Sequence, residues 1–177
     1  TIASTGNSQD FGEQSTVING PIPCMSPTRG IIAGGTISPT RTNIIEYLTF
    51  STQGNSADFG DLPQAQYGMV GASNAIRGVF DGGLNTSNNP TNTIDYITMA
   101  TLGNAKDFGD TATMESQHMG CASPTRAIFG GGFDVPAATS AVEYIWIMTT
   151  GNALDFGDCT ARDETRGACS NGHGGLG

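Results

Sequence analysis

Pairs of aspartates recur at one spacing along this chain and are its most regular candidates for ligand chemistry. Each pair flanks a Phe-Gly dipeptide, and the six residues are Asp58, Asp61, Asp107, Asp110, Asp155 and Asp158. Carboxylate oxygens are preferred ligands of Ca²⁺, so each pair is a candidate calcium site. Calcium takes about six to eight oxygens, and two carboxylates fall short of that number. We therefore favour turn closure by hydrogen bonds to backbone amides, and we expect no bound metal or cofactor.

The residue types that usually carry catalysis form no familiar constellation in this sequence. Only two histidines occur, His118 and His173, in unlike surroundings. There is no Gly-x-Ser-x-Gly elbow, no His-Glu-x-x-His motif and no Walker loop. The Asp-Phe-Gly triplets also lack the catalytic loop and the glycine-rich loop that accompany this triplet in kinases. We therefore expect that the protein is not an enzyme.

Three of the four cysteines share one position of a repeating pattern. They are Cys24, Cys121 and Cys169, and another copy of the pattern has Ala72 at that position. Cysteine or alanine at one position predicts a small buried apolar slot, which a free thiol fills well. A disulfide or metal site is the less favoured reading, because no Cys-x-x-Cys pair occurs. Cys159 lies outside this register.

The charge balance excludes some classes of partner. The chain has 7 Lys and Arg against 16 Asp and Glu, a net charge of −9, and Lys106 is its single lysine. A nucleic-acid site needs clustered cations that neutralise phosphates, and this sequence has no such cluster. No apolar run reaches the roughly eighteen residues that a membrane-spanning helix needs. We therefore expect neither nucleic-acid binding nor membrane insertion.

An eight-residue motif recurs along the whole chain. The motif Gly-Asn-x-x-Asp-Phe-Gly-(Asp/Glu) begins at Gly6, Gly54, Gly103 and Gly151, which lie 48 or 49 residues apart. A fixed period of this length indicates a repeat architecture. We expect a single repeat domain over residues 1–177. Its units would be 1–21 (partial), 22–66, 67–114, 115–163 and 164–177 (partial).

Each full unit predicts four short strands. The strand that ends near Tyr47, Tyr96 or Tyr144 alternates apolar and polar residues, as a half-buried strand requires. The Gly-Asn pair predicts a tight hairpin turn, because both residues tolerate positive φ. The following Asp-Phe-Gly-Asp segment predicts a short strand with Phe as its apolar anchor. A further apolar strand runs into paired glycines, and a variable polar loop follows.

Arginine and tryptophan positions complete the predicted packing. Arg29, Arg77 and Arg126 share one register, and we predict that each forms an ion pair with an acid of its own or a neighbouring unit. A ligand-binding ring of arginines is less favoured, because Gly174 takes this place in the last copy. Trp146, the single tryptophan, is expected in the core or between units rather than at a sugar-binding surface.

The order of these features resembles the kelch family of β-propellers. The matching residues are Gly34-Gly35 with Tyr47 and Phe59, Gly82-Gly83 with Tyr96 and Phe108, and Gly131-Gly132 with Tyr144 and Phe156. The resemblance covers nearly the whole chain, although Phe stands where kelch repeats typically have Trp. It implies an all-β kelch-like propeller with one four-stranded blade per repeat. The chain would form about four blades, with the two partial units sharing one, or a segment of a larger ring, or an array that docks onto another chain.

Repeats of this composition are similar to those in large phage and marine-microbe surface proteins. That similarity implies a non-catalytic structural or binding module of a virion, such as a tail-fibre, receptor-binding or decoration protein. Its partners would be other structural proteins of the assembly, copies of itself, or a host-surface glycan or receptor. The variable loops 36–42, 84–91 and 133–139 would carry recognition. The candidate binding residues are Thr36, Ser38, Arg41, Asn85, Asn88, Asn89 and Asp134.

Two other functions stay open. A galactose-oxidase-like carbohydrate enzyme would use the same scaffold with paired His and Tyr ligands for copper, and stoichiometric copper would identify it. An intracellular kelch-type interaction propeller would lie in the cytoplasm and would capture one defined protein partner.

Overall fold

The computed structural model describes residues 5–134, 137–162 and 167–168 of the chain. Sixteen β-strands and no helix lie within these ranges. The same ranges therefore contain no helical segment with the length and apolar character needed to cross a membrane. The strands form three four-stranded antiparallel sheets and two short hairpins. The all-β class and the four strands of each unit agree with the sequence prediction.

Sheet 1 is an antiparallel meander with a short hairpin inserted between its two central strands. Its elements are β1 (Ile22–Met25), β2 (Arg29–Ala33), β3 (Thr36–Ile37), β4 (Thr40–Arg41), β5 (Ile44–Thr49) and β6 (Ala57–Asp61). The strand order is β1-β2-β5-β6, and β3 pairs with β4 in the hairpin. This hairpin lies within a segment that the sequence predicts only as a variable loop.

Sheets 2 and 3 repeat the same meander. Sheet 2 contains β7 (Val70–Ser73), β8 (Arg77–Asp81), β9 (Thr91–Thr98) and β10 (Lys106–Glu115). Sheet 3, with its inserted hairpin, contains β11 (Met119–Ala122), β12 (Arg126–Gly130), β13 (Phe133–Asp134), β14 (Ala137–Ala138), β15 (Ala141–Trp146) and β16 (Leu154–Asp158). Each sheet therefore has the same order of first, second, third and outer strand.

Paired glycines end the second strand of every sheet. In sheet 1, Gly34 and Gly35 have φ values of +59° and +100°, which side-chain-bearing residues rarely adopt. A Cβ on Gly34 would lie 2.9 Å from the carbonyl oxygen of Gln66, a residue that leads into the next sheet. The glycines therefore let the chain leave the strand while the following unit packs closely against it.

The apolar cores lie between consecutive sheets. We call the contact of sheets 1 and 2 boundary 1/2, and that of sheets 2 and 3 boundary 2/3. Phe59 of sheet 1 and Phe80 of sheet 2 belong to the core of boundary 1/2, and Phe108 and Phe129 belong to the core of boundary 2/3. Side chains alternate along a strand, so each sheet offers one apolar face to the preceding unit and one to the following unit.

The Tyr and Phe residues of the repeat meet in the same way in every sheet. Each pair is edge to face, with ring centroids 6.1 Å apart for Tyr47 and Phe59 and 5.9 Å apart for Tyr96 and Phe108. The third pair, Tyr144 with Phe156, has a separation of 6.0 Å. Equivalent positions of the sequence repeat are therefore equivalent in the fold.

One set of hydrogen bonds joins each unit to the next, and we call it the inter-unit contact. Between sheets 1 and 2, Gly103 N donates to Phe59 O and Ala105 N donates to Asp61 O, both at 2.8 Å. Asp61 N in turn donates to Asn104 Oδ1 at 3.1 Å. The same bonds join residues 11–13 to 54–56 and residues 108–110 to 151–153.

A glycine in the Asp-Phe-Gly-Asp segment makes each inter-unit contact possible. Gly60 has a φ of +146°, and a Cβ there would lie 2.5 Å from the carbonyl oxygen of Gly103. The prediction that Gly-Asn forms the hairpin turn is therefore wrong. The turn lies just before it, where Thr101 N donates to Thr98 O at 3.2 Å, and the Gly-Asn pair contacts the preceding unit instead.

Candidate functional site

A cavity of about 450 Å³ lies between the β3–β4 hairpin of sheet 1 and the 84–90 loop of sheet 2. Its described lining residues are Thr36, Pro39, Thr40, Arg41, Tyr67, Thr86 and Asn88. Small-molecule sites typically have volumes of roughly 300–1,000 Å³, so the cavity is large enough for a small ligand. None of these described lining residues is acidic, although the chain carries 16 acidic residues.

The hairpin wall of the cavity is held by backbone pairing. Thr36 pairs with Arg41 and Ile37 pairs with Thr40 across the turn. Thr36 also forms two backbone hydrogen bonds of 2.9 Å with Asn19, which precedes sheet 1. The hairpin is therefore fixed to the body of the protein on one side, and the side chain of Arg41 starts from a defined backbone position.

The loop wall of the cavity is organised by Asn85. Its Oδ1 accepts hydrogen bonds from Ser87 N at 2.9 Å and from Asn89 N at 3.2 Å. Its backbone N donates to Asn89 O, and its backbone O accepts from Asn88 N, both at 2.9 Å. These bonds hold Asn88 at a φ of +61°, a conformation that asparagine tolerates better than most residues. The loop is thus a preformed wall.

Arg41 and Asn88 connect the two walls. Arg41 Nη2 donates to Asn88 Oδ1 at 2.5 Å, across 47 residues of sequence. Arg41 Nη1 is buried and has no hydrogen-bond partner among the described residues. A buried donor without an acceptor costs roughly 1–3 kcal/mol, and more for a charged group. Arg41 Nη1 is therefore a donor for which the described residues supply no acceptor.

Tyr67 contributes an aromatic ring that other units lack. Backbone bonds of 3.1 and 2.7 Å pair Tyr67 with Leu84, and the side chain packs over Gly20, where an added Cβ would lie 2.7 Å from the ring. The positions equivalent to Tyr67 hold Asn19 and Ser116, which make the same backbone bridges. The aromatic surface is therefore particular to the cavity at boundary 1/2.

The structure brings some of the predicted binding residues together and separates others. Thr36, Arg41 and Asn88 line the cavity, whereas Asn85 and Asn89 shape its loop and Ser38 lies in the hairpin turn without lining it. For Asp134 only the backbone is described, and it pairs with Ala137. Sequence reasoning missed Tyr67, whose only signal is that an aromatic residue replaces the Asn or Ser of the other copies.

The aspartates that could bind calcium do not assemble into a site. The described residues contain no group of three or more His, Cys, Asp or Glu side chains placed to hold a metal ion. The expected bond to a backbone amide occurs at Asp155, which accepts from Gly157 N at 2.9 Å. Asp158 instead accepts from the hydroxyl of Ser140 at 3.1 Å. The other four belong to strands β6 and β10, which carry the inter-unit contacts.

Within the described part of the chain, the arginines of the shared register do not form the predicted ion pairs. Arg29 Nη1 donates to Met99 O of the next sheet at 2.8 Å, and Arg77 Nη1 donates to Ile147 O at 3.0 Å. Each guanidinium also stacks on the Tyr ring of its own sheet, at 4.8 and 4.5 Å from the centroid. Neutral carbonyls and aromatic faces therefore replace carboxylates as the partners of these cations.

The prediction that Trp146 packs in the core or between units is also wrong. Its side chain is 46% exposed, and it contacts Tyr144 and Arg126, whose Cζ lies 4.6 Å from the Trp146 ring centroid. Trp146 on β15 is the cross-strand partner of Arg126 on the neighbouring strand β12. The ring therefore covers an arginine side chain instead of filling a core.

A buried polar cluster at boundary 2/3 was not anticipated from the sequence. His118 Nε2 lies 2.9 Å from Asp81 Oδ2, and the two side chains are 0% and 1% exposed. Burial raises the pKa of Asp81, and the bond to His118 opposes that shift. Burial also raises the pKa of Glu115 to about 7, and its bond to Thr113 acts in the opposite direction. His118, in the connection between β10 and β11, is thus a buried structural residue of this boundary.

A second cavity, of about 620 Å³, lies where the first strands of the three sheets meet. Cys24, Ala72 and Cys121 line it at equivalent positions, and Ala168 lies beside them. Burial raises the pKa of the Cys24 thiol, so this group stays protonated near neutral pH. The small apolar slot is confirmed for Cys24 and Ala72, which are both 5% exposed. Cys169 and His173 lie outside the described residues.

Comparisons with protein-family models and with curated protein sequences found no match to this chain.

Proposed function

We propose that this chain is a non-catalytic structural and binding module of a virion, which presents variable loops on a kelch-like propeller scaffold. The proposal covers a tail-fibre, receptor-binding or decoration role. The observation that carries it is the contrast between a scaffold whose contacts repeat and loops whose side chains do not. Loops on a rigid scaffold are the usual place for recognition residues.

The repeated part is the inter-unit contact, which occurs three times with the same backbone atoms. The variable part is the loop after the paired glycines. The backbone N of Thr42, Thr91 and Thr139 donates in each unit to the carbonyl of the second paired glycine, which fixes the alignment of the three loops. In this alignment, Pro90 and Ala138 stand at the position of Arg41. The arginine site therefore belongs to one loop only, as a specific recognition surface requires.

The scaffold part of the proposal is a ring of four blades closed within one chain. Ala168 lies beside the first strands of sheets 1, 2 and 3, which is the place that the first strand of a fourth blade would take. Residues 10–13 would be the outer strand of that blade. Phe156, at 55% exposure, would then receive the segment that begins at Gly6. In this arrangement Gly6 N would donate to Phe156 O, as Gly103 N donates to Phe59 O. The described structure does not form this bond, and no described residue lies within 4 Å of a Cβ added at Gly6 or Gly157.

Labelling of virus particles tests the virion assignment. An antiserum raised against the purified chain should decorate particles from the same source in negative-stain images, and purified chain should bind the host cell surface. Preimmune serum and heat-unfolded chain are the controls. Labelling confined to the interior of cells, with no decorated particles, would contradict the proposal and favour an intracellular interaction protein.

A further inference from the structure

We propose that the cavity at boundary 1/2 binds a carboxylate-bearing sugar, with Arg41 as the residue that recognises the carboxylate. This inference rests on the proposed binding function and specifies its ligand class. The cavity lies between two loops of adjacent sheets, so a ligand there would contact both units at once.

The anionic part of the ligand follows from the donors that the protein leaves unused. Arg41 Nη1 is buried with no acceptor among the described residues, and Arg41 Nη2 already donates to Asn88 Oδ1. Because Oδ1 of Asn88 accepts that bond, its Nδ2 remains a donor. Two donors on adjacent side chains suit the two oxygens of a carboxylate, which guanidinium groups bind well. Nη1 has almost no accessible surface, so a ligand would reach it through a rotation of the Arg41 side chain, and the new bond would remove the cost of an unpaired buried donor.

The sugar part of the ligand follows from the remaining lining. Thr36, Thr40 and Thr86 supply three hydroxyls that can both donate and accept. Tyr67 supplies an aromatic ring with an apolar face, and such rings combine apolar contact with a polar end. An acidic peptide would use the arginine but not a wall of hydroxyls, so the hydroxyl-rich wall favours a polyhydroxy ligand.

The net negative charge of the chain limits anion binding to places near a cation, and Arg41 provides such a place. The chain has a net charge of −9, which repels anions in general. An anion is therefore favoured only where a cation is close and partly shielded from solvent. Arg41 satisfies this condition because it is half-buried and because none of the described lining residues is acidic.

Titration of the full chain with four small probes tests this assignment. The probes are methyl glucuronide, methyl glucoside as its neutral counterpart, glucose 6-sulfate and a diglutamate peptide, with binding followed by NMR chemical shifts or calorimetry. Methyl glucuronide should bind at least tenfold more tightly than each of the other three. Equal binding of the neutral glucoside would overturn the role of the carboxylate. Tighter binding of the sulfate or the peptide would overturn the ligand class.

Variants locate the binding to this cavity. Arg41→Gln should weaken methyl glucuronide binding at least tenfold, and Thr86→Val, at an exposed loop position, should weaken it several-fold. Arg126→Gln removes the same charge from an exposed position outside the cavity and should leave the affinity unchanged within twofold. Full binding by Arg41→Gln, or an equal loss in Arg126→Gln, would overturn the assignment. If Arg41→Gln fails to fold, Thr86→Val alone decides, and unchanged affinity in that variant overturns the site.

The outcomes for the ligand and for the virion role are separable. A chain that labels particles and binds cells but does not discriminate the glucuronide from the glucoside contradicts the ligand class alone. A chain that binds the glucuronide through Arg41 but decorates no particles contradicts the virion role alone.

Discussion

A buried acid on the third strand distinguishes the units at the scale of single residues. Glu46, Asp95 and Glu143 occupy equivalent positions and are 1%, 6% and 6% exposed. In sheet 1, the carboxylate of Glu46 accepts hydrogen bonds from the hydroxyls of Ser15 and Ser56. In sheet 3, Glu143 accepts from backbone and hydroxyl donors of β10 at 2.9 and 3.2 Å. Two of the three acids are therefore satisfied by named donors.

Asp95 has neither the serine hydroxyl donors of Glu46 nor the backbone amide donor of Glu143. Ala105 stands where sheet 1 has a serine, and Pro63, which has no N–H, stands where boundary 2/3 offers a backbone amide. No described residue donates a hydrogen bond to the Asp95 carboxylate. Burial, followed by the nearby charge of Asp107, raises the pKa of Asp95 from 3.8 to about 7. This residue is therefore a source of pH dependence in the stability of the fold.

Replacement of Asp95 by Asn should stabilise the protein at pH 8 and have little effect at pH 4. Between about pH 4 and pH 7 the folded state keeps a proton on Asp95 that the unfolded state releases. The folded state binds more protons in this window, so the free energy of unfolding falls as the pH rises. Asp95→Asn removes that loss, which we expect to be about 1–3 kcal/mol at pH 8. Urea unfolding of both proteins at pH 4 and pH 8 measures it.

Glu46→Gln is the matched control for this prediction. Glu46 already has two hydroxyl donors, so neutralising it should bring no gain in stability at pH 8. A gain in Asp95→Asn that is equal at both pH values would contradict the role of the ionised Asp95 carboxylate.

At the scale of elements, boundaries 1/2 and 2/3 have the same geometry, but apolar residues fill one and polar residues fill the other. Ala33, Leu62 and Met69 are buried at boundary 1/2, and the equivalent residues at boundary 2/3 are Asp81, Thr111 and His118. The slot is the same, because a Cβ on Gly34 would meet the end of Met69 at 2.5 Å and a Cβ on Gly82 would meet the ring of His118 at 2.8 Å. Apolar side chains at boundary 1/2 and hydrogen-bonded polar side chains at boundary 2/3 therefore occupy equivalent spaces.

The triple substitution Asp81→Ala, Thr111→Leu and His118→Met should copy the apolar boundary and preserve the fold. Replacing a buried, hydrogen-bonded pair of ionisable residues by well-packed apolar residues is often neutral or stabilising by about 1–4 kcal/mol. Asp81→Ala alone should cost roughly 3 kcal/mol or more, because it leaves His118 buried with no partner at either ring nitrogen. Urea unfolding at pH 7 measures both changes. A triple variant that is no more stable than Asp81→Ala would show that the two boundaries are not interchangeable.

At the scale of the whole molecule, the two ends of the repeat present complementary halves of one contact. Phe59 and Phe108 are 2% exposed where a following unit covers them, whereas Phe156 is 55% exposed. Gly157 has the same strained backbone as Gly60, with a φ of +132°, yet no described residue lies within 4 Å of an added Cβ. Residues 6–8 do not occupy this position in the described structure, where Gly6 also has no neighbour within 4 Å of an added Cβ, and the proposed ring closure would bring the two ends together.

Alanine substitution at Gly60 and Gly157 distinguishes a closed ring from an open array. Both substitutions carry backbone strain of roughly 1–3 kcal/mol. Gly60→Ala adds a collision with the Gly103 carbonyl, so it should be the more damaging change in the structure as described. If residues 6–8 close the ring, Gly157→Ala should lose as much stability as Gly60→Ala. Thermal unfolding at equal protein concentration compares them, and a cost at Gly157 well below that at Gly60 would contradict closure.

The local parts of the fold could be predicted from the sequence because they depend on short-range patterns. Alternating apolar residues indicated the strands that carry Tyr47, Tyr96 and Tyr144, and the paired glycines marked the end of the second strands. The succession of strand-like segments within each 48-residue period indicated four strands per unit, as found. Cys24 and Ala72 at one register indicated a small apolar slot at the first strand, which the burial of both residues confirms.

The tertiary structure alone decided which residues from different units meet. Arg41 and Asn88 are 47 residues apart and become partners only because sheets 1 and 2 lie side by side. The same stacking gives the arginines carbonyl partners and gives Asp81 its partner His118. It also leaves Trp146 half exposed, since the face of sheet 3 beyond it has no further described sheet. A periodic sequence specifies each sheet and its two apolar faces, but contacts between units depend on their relative placement, which no local pattern contains.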